Sequence, residues 1–152
     1  MHRFFRTALL FLLCVPLMLS AQDGDVELLR PDKQKPGAHP TLAGALIAVG
    51  VTPDKIDHVR LVGDEASGTS GKTRRMNIDA AFWKKYFEGA KLNEKFAASG
   101  YRKLEVYLKG EAKPKTTIHI NELDTCLVDG DPFKMRYLSI GLHDWFSANL
   151  QP

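Results

Sequence analysis

Val59-Arg60-Leu61-Val62-Gly63, then a loop, then Arg75-Met76-Asn77-Ile78-Asp79: this stretch, with its later counterpart, decides the fold. The counterpart is Val106-Tyr107-Leu108-Lys109-Gly110, a Lys/Pro loop, and Thr117-Ile118-His119-Ile120-Asn121. In both, a run that alternates apolar and polar residues meets a glycine-marked turn, and a second alternating run ends on Asp or Asn. Period-two alternation places Val59 and Leu61 on one face of their strand, and Met76 and Ile78 likewise share a face of theirs. Leu104, Val106 and Leu108 share a face in the same way, as do Ile118 and Ile120. The pattern predicts two β-hairpins. Common hairpin chemistry accounts for their likeness as well as a duplication would.

Between the hairpins the period changes. Asp79 can cap a helix, and Phe82, Tyr86 and Ala90 recur at i, i+4 and i+8 beside Trp83 and Phe87, an aromatic stripe suited to a sheet. Leu92 and Phe96 extend the stripe, and Gly100 suits its end. Upstream, Thr41 caps a short helix, apolar nearly all round, that Gly50 terminates; Thr52-Pro53 opens a further helical turn. Downstream, Asp129-Gly130-Asp131-Pro132 is a turn. Residues 133–142 alternate as a strand, and 143–149 form a closing helical turn. The expected fold is α+β: a mainly antiparallel sheet of four or five strands, built from two hairpins and packed against a central helix and a short N-terminal helix.

Outward from this core, residues 22–40 are polar, with Pro31, Pro36 and Pro40, and read as a flexible leader before a single domain, 41–152. Residues 1–21 have the pattern of a secretory signal peptide: Arg3 and Arg6, an apolar run, then Ser20-Ala21. That run is shorter than the roughly 20 residues a membrane span needs, and so is 42–51, so no transmembrane span is expected in the mature chain. The expected location is the periplasm or the extracellular space. One cysteine, Cys126, remains beyond the signal, so no internal disulfide is expected and apolar burial must hold the fold.

Charge is unevenly spread. From Lys72 to Lys115 there are twelve Lys/Arg against five Asp/Glu, whereas the flanking segments, 22–71 and 116–152, are each net acidic. Lys72, Arg74 and Arg75, at the edge of a Gly/Ser-rich loop, are the candidate contact for a protein or an anionic envelope component. The competing reading is a solvated face, on which Lys84, Lys85, Lys91 and Lys95 serve only solubility. No reader motif for nucleic acid is present, and none is expected as a partner.

Residues 66–73, Ala-Ser-Gly-Thr-Ser-Gly-Lys-Thr, match a loose phosphate-binding loop, but such a loop must open directly into a helix. Here a strand-like run follows, so a hairpin connection is expected. Cys126 is a candidate nucleophile, with His119 or His143 as its base; a buried, packed thiol is the plainer expectation. The histidines have no metal-ligand spacing, and the pairs Asp23/Asp25 and Asp129/Asp131 lack the remaining ligands of a calcium loop. No metal or cofactor is expected. The leading expectation for function is a small exported binding or interaction domain. The alternatives are a hydrolase or transferase using Cys126 with a histidine, and an inhibitor or accessory subunit of another exported protein.

Overall fold

A computed structural model describes residues 38–93 and 100–151. The stretch expected to be a signal peptide, most of the expected leader, and Phe96 lie outside the described residues. The elements are helix α1 (Leu42–Ala48), a 3-10 turn (Pro53–Lys55), strands β1 (Ile56–Val62) and β2 (Thr73–Met76), and helix α2. Helix α2 begins as α-helix (Ala80–Phe82) and continues as π-helix (Trp83–Glu88). Then come β3 (Lys91–Leu92), β4 (Arg102–Leu108), β5 (Thr116–Ile120), β6 (Thr125–Val128), β7 (Tyr137–Leu138) and helix α3 (Leu142–Leu150). Among the described residues no helix is long and apolar enough to cross a membrane.

The fold is α+β with an open antiparallel sheet. It has seven strands rather than four or five, in the order β2-β1-β4-β5-β6-β7-β3. Both expected hairpins form: β1 pairs with β2, and β4 with β5. The additional strands are short or lack alternation. Thr125, Cys126 and Val128 of β6 are all buried, which hides the period of two. Leu92 does not extend the central helix; it sits in β3, opposite Tyr137. The expected strand over 133–142 contracts to Tyr137–Leu138. The Asp131 carboxylate accepts the Phe133 and Met135 amides at 3.0 and 3.2 Å and coils the chain before it can pair.

The helix caps form as expected. Thr41 Oγ1 accepts the Gly44 amide at 3.1 Å, and Asp79 Oδ1 accepts the Phe82 amide at 2.7 Å. Phe82, Trp83, Tyr86, Phe87 and Ala90 are buried, and the widened turn ends where the Gly89 amide donates five residues back to the Lys84 carbonyl. Helix α1 is not covered all round, since Ile47 is 52% exposed. The buried sides of the three helices join Val59, Leu61, Leu104, Val106, Ile118, Ile120, Cys126 and Tyr137 in one core. Alternation then leaves Arg60, Glu105, Thr117, His119 and Leu127 on the other, partly exposed face of the sheet.

The last helix is held from a distance. Gly141 stands at its N-cap and offers no side chain, so the cap comes from Asp124 in the β5–β6 turn. Asp124 Oδ2 accepts the Gly141 amide and Oδ1 the His143 amide, both at 2.8 Å. Its carbonyl accepts the Ser139 amide at 2.9 Å. Asp124 does this with a left-handed backbone (φ 59°), which Asp tolerates better than most residues. A carboxylate on a helix N-terminus is favourable both as an acceptor and against the helix dipole. Asp124→Ala is expected to lower unfolding stability by about 3 kcal/mol in urea denaturation, the scale of two charge-assisted bonds. Asp124→Asn, which keeps one acceptor and tolerates the left-handed backbone, is expected to lose less than half of that.

Candidate contact surface

The loop from β1 to β2, residues 63–72, is built on hydrogen bonds. The Gly63 amide donates to the Lys72 carbonyl at 2.9 Å and carries the hairpin ladder one step past the strands. A side chain at Gly63 has no room, because a Cβ there would lie 2.0 Å from the Thr69 carbonyl oxygen. Asp64 organises the tip: its carboxylate accepts the Ser67 amide at 2.7 Å, and its carbonyl accepts the Thr69 amide at 3.1 Å. Arg102 stands 3.4 Å from the same carboxylate and also donates to Ser147 of α3, so it joins the loop to the last helix. Burial pushes the Asp64 carboxyl up, but the Ser67 hydrogen bonds and Arg102 together hold it below the usual carboxylate range. The loop passes straight into an antiparallel strand, and no helix opens at Thr73. The match to a phosphate-binding loop therefore lacks the helix N-terminus that would hold a phosphate.

The three sequence-predicted cations, Lys72, Arg74 and Arg75, do reach the surface at this edge, but not as one patch. Val59 pairs with Met76, Arg60 with Arg75, Leu61 with Arg74 and Val62 with Thr73. Facing residues share a side of the sheet, so Arg74 lies on the helix side with Leu61, and Arg75 on the open side with Arg60. Arg74 Nη1 donates to the Asn149 carbonyl at 2.8 Å, at the C-terminal end of α3. Lys72 and Arg74 line a notch of about 240 Å³ with Thr73, Asn149, Leu150 and Gln151. A smaller neighbouring notch is lined by Ser67, Thr69, Arg102 and Ser147, and shares Leu150 and Gln151.

On the open side, two arginines face each other across the hairpin. Facing like charges are destabilising. Two carboxylates offset them. Glu105 Oε2 accepts from Arg60 Nε and Nη2 at 2.7 and 2.6 Å, and Asp57 Oδ2 lies 3.0 Å from Arg75 Nη2. Asp57 occupies an irregularity where the β1–β4 register shifts between Ile56 and His58, which leaves it unpaired in the ladder. His58 Nδ1 lies 2.6 Å from the same Asp57 oxygen, and the His58 ring stacks on Tyr107 with centroids 4.5 Å apart. The hydrogen bond to His58 is the main reason that the Asp57 carboxyl is lowered, and Arg75 adds to it. The Tyr107 hydroxyl donates to Glu105 at 2.9 Å, and burial and then Glu105 raise its phenol. The Asp57–His58–Tyr107 group was not singled out from the sequence. The only available signal was alternation, which puts His58 and Arg60 on one face.

Among the described residues no hydrogen bond joins the Cys126 thiol to His119 or His143: His119 lies on the other face of the sheet, while the His143 amide and the Cys126 thiol each bond to Asp124. Cys126 is fully buried on the core side, opposite Ile120 and Tyr137, and its thiol donates to the Asp124 carbonyl at 3.7 Å. Burial, and then Asp124, push that thiol far above its ordinary range. His119 precedes Ile120 in β5 and so points to the opposite face, where Nε2 lies 2.9 Å from Asp129 Oδ1. It lines a cavity of about 340 Å³ with Tyr101, Leu127, Asp129 and Lys134, a feature the sequence reading did not find. His143 lies in the first turn of α3, with Nδ1 3.7 Å from Asp144 Oδ1. Among the described residues no group of His, Cys, Asp and Glu is arranged to hold a metal ion.

Compared with known proteins, the chain matches no family model, no curated protein and no solved structure. The reading of function therefore rests on the chemistry of the surface itself. For Cys126, the native protein is expected to react with a thiol reagent at least about a hundredfold more slowly than the urea-unfolded protein, because a buried neutral thiol must await an opening event. A fast native reaction would show an accessible thiolate.

Proposed function

We propose that this protein is an exported binding module whose contact surface is the basic end of the sheet, formed by β2 and the 63–72 loop. The observation that carries the reading is the edge strand itself. Among the described residues no strand lies beyond β2, and Thr73, Arg74 and Arg75 are all exposed there, next to exposed Lys72. The hydrogen-bonded loop beside it and the Arg102 clasp give a partner a shaped rather than a floppy surface. Exposed cations steer an acidic partner over a distance of about one Debye length, so association is expected to weaken with salt. The export pattern of residues 1–21 supports a partner in the periplasm or outside the cell. A thiol enzyme draws no support from Cys126, whose sulfur is buried and bonded to a backbone carbonyl.

The test is capture of partners from envelope fractions by the native protein and by the Lys72→Glu, Arg74→Glu, Arg75→Glu triple variant. All three positions are exposed, so the variant is expected to fold. Recovery of a saturable partner is expected to fall at least about tenfold, the loss of roughly 1.4 kcal/mol of interaction. Undiminished recovery would remove this surface from the account.

A further inference from the structure

The β2 edge offers backbone as well as charge. In an antiparallel pair, facing residues alternate between those that exchange both backbone hydrogen bonds and those that exchange none. The Gly63–Lys72 bond sets the phase. Read through the register, Leu61–Arg74 and Val59–Met76 are bonded pairs, while Val62–Thr73 and Arg60–Arg75 are not. The N–H and C=O groups of Thr73 and Arg75 therefore point away from β1, toward the free edge. Among the described residues they make no other backbone hydrogen bond.

Building on the reading of β2 as the contact surface, we propose that the partner is an extended acidic segment of another protein, which joins the sheet as a further strand alongside β2. Main-chain bonds to Thr73 and Arg75 supply the register, as in other cases of strand addition. Side chains supply the choice of partner. A carboxylate facing Arg75 meets it on the open side, and the adjacent residue faces Arg74 on the helix side. The fitting segment thus carries two consecutive acidic residues, with an apolar neighbour to face Met76. Neither arginine must abandon its present partner. Arg75 is 63% exposed, and among the described residues it has only Nη2 on Asp57, and Arg74 only Nη1 on Asn149. A guanidinium has five donors, which leaves several for an incoming carboxylate. The same cations disfavour a second copy of this chain at the edge, since pairing β2 with β2 would bring arginine against arginine. Charged edges are a common guard against self-pairing, and here the guard also selects an acidic strand.

The probe is a fluorescein-labelled octapeptide of β-branched residues with two adjacent central glutamates, titrated with the full chain and followed by anisotropy. Saturable binding is expected, weakened at least about tenfold when alternate peptide nitrogens are methylated, because the main-chain bonds are lost while the charge stays. Thr73→Pro, which keeps Lys72, Arg74 and Arg75 but removes an outward donor at an edge position that tolerates proline, is expected to give a similar loss; Thr73→Ala is expected to give little. No binding of the unmodified peptide overturns the proposal. So does equal binding of the methylated peptide by the native chain, a comparison that needs no variant to fold. If methylation has no effect but the charge-reversal triple variant still loses its envelope partner, strand addition fails and the contact surface stands. If charge reversal changes neither peptide binding nor capture, the surface itself is wrong.

Discussion

Asp124 fixes where the last helix starts, and the geometry of the basic edge follows from that. Its carboxylate holds the first turn of α3 through the Gly141 and His143 amides, while its carbonyl holds Ser139. A helix of nine residues then extends about 13 Å, at 1.5 Å per residue. It delivers Asn149 to Arg74 and Ser147 to Arg102. One partly buried polar junction thereby sets the position of two cations at the other end of the helix. The same junction receives the Cys126 thiol on a backbone oxygen. The sulfur is thus part of the packing around Asp124, whose charge disfavours a thiolate there.

The open face of the sheet solves a charge problem of its own. Arg60 and Arg75 form a facing pair that shares no backbone bonds, the closer of the two kinds, with Cα atoms about 4.5 Å apart. Glu105 neutralises one from the neighbouring strand, and Asp57 reaches the other because the ladder is irregular where it sits. His58 and Tyr107 fill the space between as stacked rings. These are partly or largely exposed pairs, screened by solvent, so their value lies in arrangement more than in stability. They leave Arg75 held at one nitrogen and open at the others.

Much of the fold was legible because alternation and capping are local. The two hairpins follow from Val59/Leu61 and Ile118/Ile120, and the helix starts from Thr41 and Asp79. The strands that escaped notice had no local signal. β3 is two residues, too short for a period, and β6 is buried on both faces at Thr125, Cys126 and Val128; β7 lies inside the strand expected over 133–142, shortened to Tyr137–Leu138. Leu92 continued a helical stripe in sequence, yet the chain widened into a π-turn and left the helix at Gly89. The candidate surface was half legible. Lys72, Arg74 and Arg75 do lie at an exposed edge, but adjacent strand residues point to opposite faces, which separates Arg74 from Arg75. That Arg60 faces Arg75, and that Asp57 compensates, depends on a register set by the folding of the 63–72 loop, which no single stretch of sequence displays.

The central claim is that β2 is a free edge whose outward backbone groups belong to Thr73 and Arg75. Amide hydrogen exchange of the full chain, read residue by residue by NMR, tests it most directly. The account predicts that the Thr73 and Arg75 amides exchange near unprotected rates, while those of Arg74 and Met76, bonded to β1, are slowed at least about a hundredfold. Strong protection of Thr73 and Arg75 in the unliganded protein would show the edge already covered and would contradict the account.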